Sequence, residues 1–114
     1  MTNKQLEALN VKIARKLGWK RFRLERTPEP LNTRRMTGLA PGNFRNQFVP
    51  TFTSNLAYAL QCVDWANEHG YHFQIGRILG EPFKVIFHKD CNSYAEDSAT
   101  LPSMAICMAF LKIK

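Results

Sequence analysis

"YHFQIGRILGEPFKVIFHKD", residues 71–90, decides how this chain folds. Apolar and polar residues alternate on both sides of a Gly-Glu-Pro turn. Tyr71, Phe73 and Ile75 share one face of the first arm, and Phe83, Val85 and Phe87 share one face of the second. A period of two belongs to strands with one buried side, so the stretch predicts a β-hairpin. An isolated hairpin is marginal in water and needs a third strand or a covering helix. "KRFRLER", Lys20 to Arg26, alternates in the same way. Phe22 and Leu24 point to one side; Arg21, Arg23 and Glu25 point to the other. This strand is expected to join the hairpin in a small antiparallel sheet of three to four strands.

Helical periodicity flanks these strands. Leu6, Leu9, Ile13 and Leu17 recur at helical spacing, with Thr2 as a cap, Gln5 three residues later and Gly18 as a stop. That predicts a helix over Asn3–Lys16, with Trp19 folding back onto its apolar side. A second helix is expected from about Ser54, capped by Thr53 or Ser54, to His69. Its core face would be Leu56, Ala59, Leu60, Val63 and Ala66, and Gly70 ends it. A polar connection follows the hairpin, with a short strand around Tyr94. The last helix, about Leu101–Lys112, is apolar on nearly every side and must be covered on most of them. Between Thr27 and Pro50 lie four prolines, two glycines and no lasting period. This reads as a long basic loop (27–50) between the first strand and the second helix, and loops of that length usually carry function. The element order predicts an α+β fold, an α/β sandwich of one small sheet and three helices.

The chain's 114 residues fit a single domain, residues 1–114, with one modest core. No stretch approaches the ~20 apolar residues of a membrane span, so no membrane partner is expected. The N-terminus lacks the apolar run of a secretory signal. Three cysteines without CxxC spacing argue against a disulfide framework or a zinc site and fit a reducing cytosol. The net charge of +7 is distributed unevenly. Residues 1–45 hold eleven Lys/Arg against three Glu; residues 46–114 hold five against six Asp/Glu. All of the excess therefore lies in the first part, which points to an anionic partner.

Chemistry-bearing motifs are sparse. His69 closes a helix, where the dipole favours it. His72 and His88 alternate with the apolar strand residues and should face solvent. Cys62 and Cys107 read as core and Cys91 as a loop thiol. Asp64 and Glu68 lie four apart on a helix face, the spacing of a solvated surface. Glu96 and Asp97 are adjacent and diverge. No phosphate-binding Gly-Lys-Ser/Thr loop, GxGxxG, GxSxG or HExxH occurs. The expectation is a protein that is no enzyme, with no catalytic residue, cofactor or metal.

Binding remains, and the basic segment offers the means. Lys20, Arg21 and Arg23 lie on the first strand, and Arg34, Arg35 and Arg45 lie on the loop with Phe44 and Phe48. Guanidinium groups donate paired hydrogen bonds to phosphate or carboxylate, and exposed rings stack on bases. These eight residues are the candidate anion or ligand site.

Three blocks carry a resemblance. "IARKLGW" is a helix ending in Gly-Trp. "VPTFTSNLAYALQCVDWANEHGYHFQI" enters a helix through Pro-x-aromatic-Ser/Thr and leaves it through Gly into an aromatic strand. "YAEDSATLPSMAICMAFLKI" ends in an apolar helix. Together they resemble the phage ABA sandwich domain, a family of small bacteriophage and prophage proteins. The resemblance implies a helix-sheet-helix sandwich and a phage origin, and it brings no catalytic residues. Lys20–Val49 lies outside it, longer and more basic than the family pattern. By association, a phage accessory protein of this size suggests an anti-CRISPR-like inhibitor of a bacterial defence system, acting in the host bacterial cytoplasm. Its partner would be a host defence effector protein, nucleic acid, or a nucleotide ligand. Two alternatives stay open: a sponge for a cyclic or small nucleotide immune signal, and a phage structural or protein-interaction module. A homo-oligomer is left open as well.

Overall fold

The first helix begins where the sequence places it. In the computed structural model, which describes residues 1–27 and 34–114, α1 spans Asn3–Lys16. The Gln5 N–H donates to Thr2 Oγ1 at 3.2 Å and the Thr2 N–H to Gln5 Oε1 at 2.8 Å, a reciprocal capping box. At the other end Gly18 adopts φ 102°, which lets the Gly18 N–H reach Arg15 O at 3.1 Å and the Trp19 N–H reach Ala14 O at 2.9 Å. This is a Schellman closure, and it turns Trp19 back into a buried position.

The chain divides into two compact units, Met1–Pro50 and Thr51–Lys114. In the first, β1 (Lys20–Arg26), β2 (Arg34–Leu39) and β3 (Gln47–Phe48) form an antiparallel sheet in the order β1-β2-β3. This corrects two expectations. The first strand pairs with β2 rather than with the hairpin. The segment 27–50 is not one long loop, because two strands lie within it; residues 28–33 fall outside the described residues. The physical reason is local. Consecutive strands usually pair, and β2 follows β1 directly in the chain, whereas the hairpin comes only after the second helix. Gly38 is required by close packing: a Cβ there would sit 2.9 Å from the Phe22 ring and 3.2 Å from Trp19.

In the second unit α2 spans Leu56–Glu68 and is capped by Asn55, whose side chain accepts the Tyr58 N–H at 3.3 Å. The cap therefore falls one residue later than Ser54. Ala59, Cys62, Val63 and Ala66 are buried, while Leu56 and Leu60, expected in the core, are 45% and 44% exposed. Cys62 instead of the leucines sets the buried stripe. Gly70, at φ 87°, closes the helix, with the Tyr71 N–H bonded to Ala66 O at 2.9 Å.

The hairpin forms where its alternation predicts. β4 (His72–Gly76) and β5 (Phe83–Asp90) pair antiparallel with Phe73 opposite Phe87 and Ile75 opposite Val85. β6 (Ser93–Ala99) adds on the far side of β5 and is a full strand of seven residues. The sheet order is β4-β5-β6. α3 (Pro102–Leu111) lies against β5 and β6 and packs on α2. Val85, Phe87, Ala95, Ile106 and Phe110 are buried, and Phe110 meets Trp65 edge-on with ring centroids 5.4 Å apart. Ser103 donates its buried hydroxyl to Thr53 O at 2.9 Å, tying the start of α3 to the entry of α2. Three helices and two small antiparallel sheets make the fold α+β. Among the described residues no helix is long and apolar enough to cross a membrane.

Candidate anion-binding surface

The boundary in charge coincides with the boundary in structure. The unit Met1–Pro50 holds eleven Lys/Arg and three Glu, and Thr51–Lys114 holds five Lys/Arg and six Asp/Glu. What the first sheet does with those cations depends on its register.

Lys20 opposes Leu39, Arg23 opposes Thr37, Leu24 opposes Met36, Glu25 opposes Arg35 and Arg26 opposes Arg34, with a bulge between Lys20 and Arg23. Alternation then assigns faces. Lys20, Arg23 and Glu25 share one face with Arg35, Thr37 and, through the Thr37–Phe48 pair, Phe48. Leu24 and Arg26 share the other with Arg34, Met36 and Gly38. Of the eight expected residues, Lys20, Arg23, Arg35 and Phe48 therefore come together, and Arg34 parts from Arg35. Arg21 and Arg23, expected on one face, are separated by the bulge. Arg21 takes φ 54°, and its carbonyl accepts the Asn46 side-chain N–H at 3.2 Å. A non-glycine residue in that region is costly and is held by its surroundings.

The side chains on the shared face are partly engaged. Arg35 lies over the Phe48 ring at 5.2 Å and donates to Val49 O at 3.1 Å, which fixes its guanidinium plane. Arg23 pairs with Glu25 at 3.5 Å, an exposed bridge that contributes little. Among the described residues, no carboxylate lies within ion-pair distance of Lys20, Arg21, Arg26, Arg34 or Arg45. The second unit differs: Lys84 meets Glu96 at 3.3 Å and Lys112 meets Asp97 at 3.2 Å. Phe44, fully exposed, and Arg45 lie between β2 and β3.

Two features escape a reading of the sequence. Arg26 faces Arg34 directly across the ladder, both exposed. Like charges opposite one another destabilise a sheet, and a bound anion would relieve them. The signal is present, since Arg26 ends the alternating run, but alternation counts it with the apolar side. The second is a groove of about 370 Å³ lined by Ala8, Val11 and Met36 together with Lys4, Lys12, Arg15 and one carboxylate, Glu7. It needs β2 beside α1, which no periodicity reveals.

Elsewhere, His69 caps α2 and stacks on Trp65 at 3.8 Å. His72 and His88 sit opposite each other on the polar face of the second sheet, ring centroids 5.3 Å apart. Tyr94 donates to Glu96 at 2.6 Å. Cys62 and Cys107 are buried and Cys91 is exposed.

The fold is similar to that of the 2.0 Å crystal structure of a phage protein from Bacillus cereus ATCC 14579, with TM-score 0.65 and 19% identity over 97% of this chain and 94% of that one. No family model matches the chain, and no curated protein does. At that identity the likeness establishes the fold alone.

Proposed function

We propose that this is a non-enzymatic, phage-encoded binding protein that inhibits a bacterial defence system in the host cytoplasm. It engages an anionic partner, nucleic acid or an acidic effector surface, through its basic N-terminal unit. One observation carries the reading: the entire charge excess belongs to a single compact unit, where several cations have no carboxylate partner among the described residues. The Arg26–Arg34 pair and the Lys20–Arg23–Arg35 face supply the contacts, and Phe48 and Phe44 supply rings for stacking. The phage assignment rests on the resemblance to the ABA sandwich domain and on the Bacillus cereus phage protein as structural neighbour.

The test is affinity for DNA, RNA and cyclic nucleotides across a salt series. Polynucleotide binding should weaken steeply with salt as counterions return to the backbone. Replacing Arg26 and Arg34 together by alanine should flatten the slope by about one unit for each phosphate left without a cation. Absence of polynucleotide binding together with no capture of an acidic partner would overturn the reading.

A second reading is favoured by the groove beside α1. Its apolar residues with Lys4, Lys12 and Arg15, three cations against the single carboxylate of Glu7, suit a base and a phosphate held at once, as in a sponge for a small nucleotide signal. Stoichiometric capture with weak salt dependence, and release of intact ligand on denaturation, would select it.

A further inference from the structure

The bulge in β1 is where the backbone of the basic unit is strained. Arg21 stands there at φ 54°, a conformation that a residue with a Cβ keeps only when its neighbours hold it. The connection between β2 and β3 does the holding. Asn46 donates its side-chain N–H groups to Arg21 O at 3.2 Å and to Thr37 Oγ1 at 3.5 Å, and Thr37 Oγ1 donates to Arg23 O at 3.3 Å. The start of the connection is closed by the Asn43 N–H on Ala40 O at 3.1 Å, with Gly42 at φ 80°. Phe44 and Arg45 lie between these two anchors, on a loop tied to the strand that carries Lys20, Arg21 and Arg23. Phe44 is 100% exposed, so its ring packs no core. Phe48 follows on β3, where the Arg35 guanidinium lies 5.2 Å over its ring and is fixed by the bond to Val49 O. The face that Arg35 and Phe48 share with Lys20 and Arg23 carries one carboxylate among the described residues, Glu25, and it is paired to Arg23.

We propose, resting on the nucleic-acid reading above, that the anionic partner is a single strand rather than a duplex. Its phosphates meet Lys20 and Arg45, and its unpaired bases stack on the Phe44 ring and on the Arg35 plane over Phe48. The cations alone would suit any polyanion; the rings make the choice. A duplex buries the faces of its bases in its own stack and presents only phosphates and groove edges, for which an exposed ring has little use. A single strand turns its bases outward, and every base has a π-face whatever the sequence. A carboxylate-rich protein surface would answer the cations but not the ring.

The experiment uses the full chain and fluorescence anisotropy over a salt series. The probes are oligo-dT and oligo-U of about 12 nucleotides, a duplex of the same length, and poly-glutamate. At equal salt, oligo-dT, oligo-U or both should bind more tightly than the duplex by about fivefold or more for each stacked base, and the two single strands tell DNA from RNA. Phe44→Ala, which removes no buried surface, should leave circular dichroism unchanged and weaken single-strand binding about fivefold or more. It should not change the salt slope, because the ring neutralises no phosphate. Arg45→Ala should instead make that slope shallower by about 0.7, the share of one single-strand phosphate. A duplex bound as tightly as either single strand overturns the proposal and leaves the nucleic-acid reading standing, as does a Phe44→Ala variant of unchanged affinity. Capture of poly-glutamate with no polynucleotide bound overturns it in favour of an acidic protein surface. Binding of none of the probes overturns it as well, and with it the ground for an anionic partner.

Discussion

Gly38 and Arg34 show how single residues in one strand serve opposite ends. Gly38 is the only residue type that fits against Phe22 and Trp19 without moving a ring. Gly38→Ala should therefore lower unfolding free energy by about 1–3 kcal/mol, the usual cost of overpacking, measured by urea denaturation. Arg34 has the reverse balance. Facing Arg26, it opposes pairing, so Arg34→Thr should raise stability in phosphate-free buffer by about 0.2–1 kcal/mol. The same change should weaken anion binding, and added phosphate should stabilise the wild type more than the variant. A variant that loses stability would remove Arg34 from the binding account. Phe110, wholly buried against Trp65, is a plain core residue; Phe110→Ala should cost about 3–5 kcal/mol in the same assay.

At the scale of elements, the three helices and the hairpin are legible in the sequence because their signals are local. Thr2, Gln5 and Gly18 announce α1 within its own span, and Thr2→Ala should cost about 1 kcal/mol through the missing cap. β2 is not legible, because Arg34–Leu39 does not alternate apolar with polar: Arg34, Met36 and Gly38 fall on one side and Arg35, Thr37 and Leu39 on the other. On α2 Cys62 takes the inner position expected of it, while Leu56 and Leu60, read as core from their spacing, stay exposed. β6 and its turn carry a pH response. Tyr94 and then Lys84 hold the Glu96 carboxyl below its usual range, and the Asn92 N–H does the same for Asp90. A carboxylate whose pKa is depressed on folding contributes stability above its unfolded value, lost as pH falls through the folded one. Tyr94 is raised by the same Glu96 bond, so its contribution is present at neutral pH and lost as pH climbs past the ordinary phenol range. Stability should thus decline below about pH 4 and again in strong alkali. Tyr94→Phe should flatten both limbs in a melting-temperature profile.

The whole molecule divides its charge as it divides its structure, with a net +8 on one unit and a slight negative balance on the other. Self-repulsion within the basic unit is screened by salt over about 10 Å at 0.1 M. Raising salt from a low value should therefore raise the melting temperature of the free protein while it weakens binding to polynucleotide, and scanning calorimetry beside the affinity series checks both.

The sequence by itself determined the α+β class, the helices with their caps, the hairpin and the concentration of positive charge, because each depends on residues within a few turns of one another. Tertiary structure alone decided which strands pair, and hence that Arg35 joins Lys20 and Arg23 while Arg34 confronts Arg26. A strand carries its alternation in its own residues but not its partner or register. Those are set by which apolar faces meet, and a bulge or a missing Cβ is enough to move a guanidinium from one side of a sheet to the other.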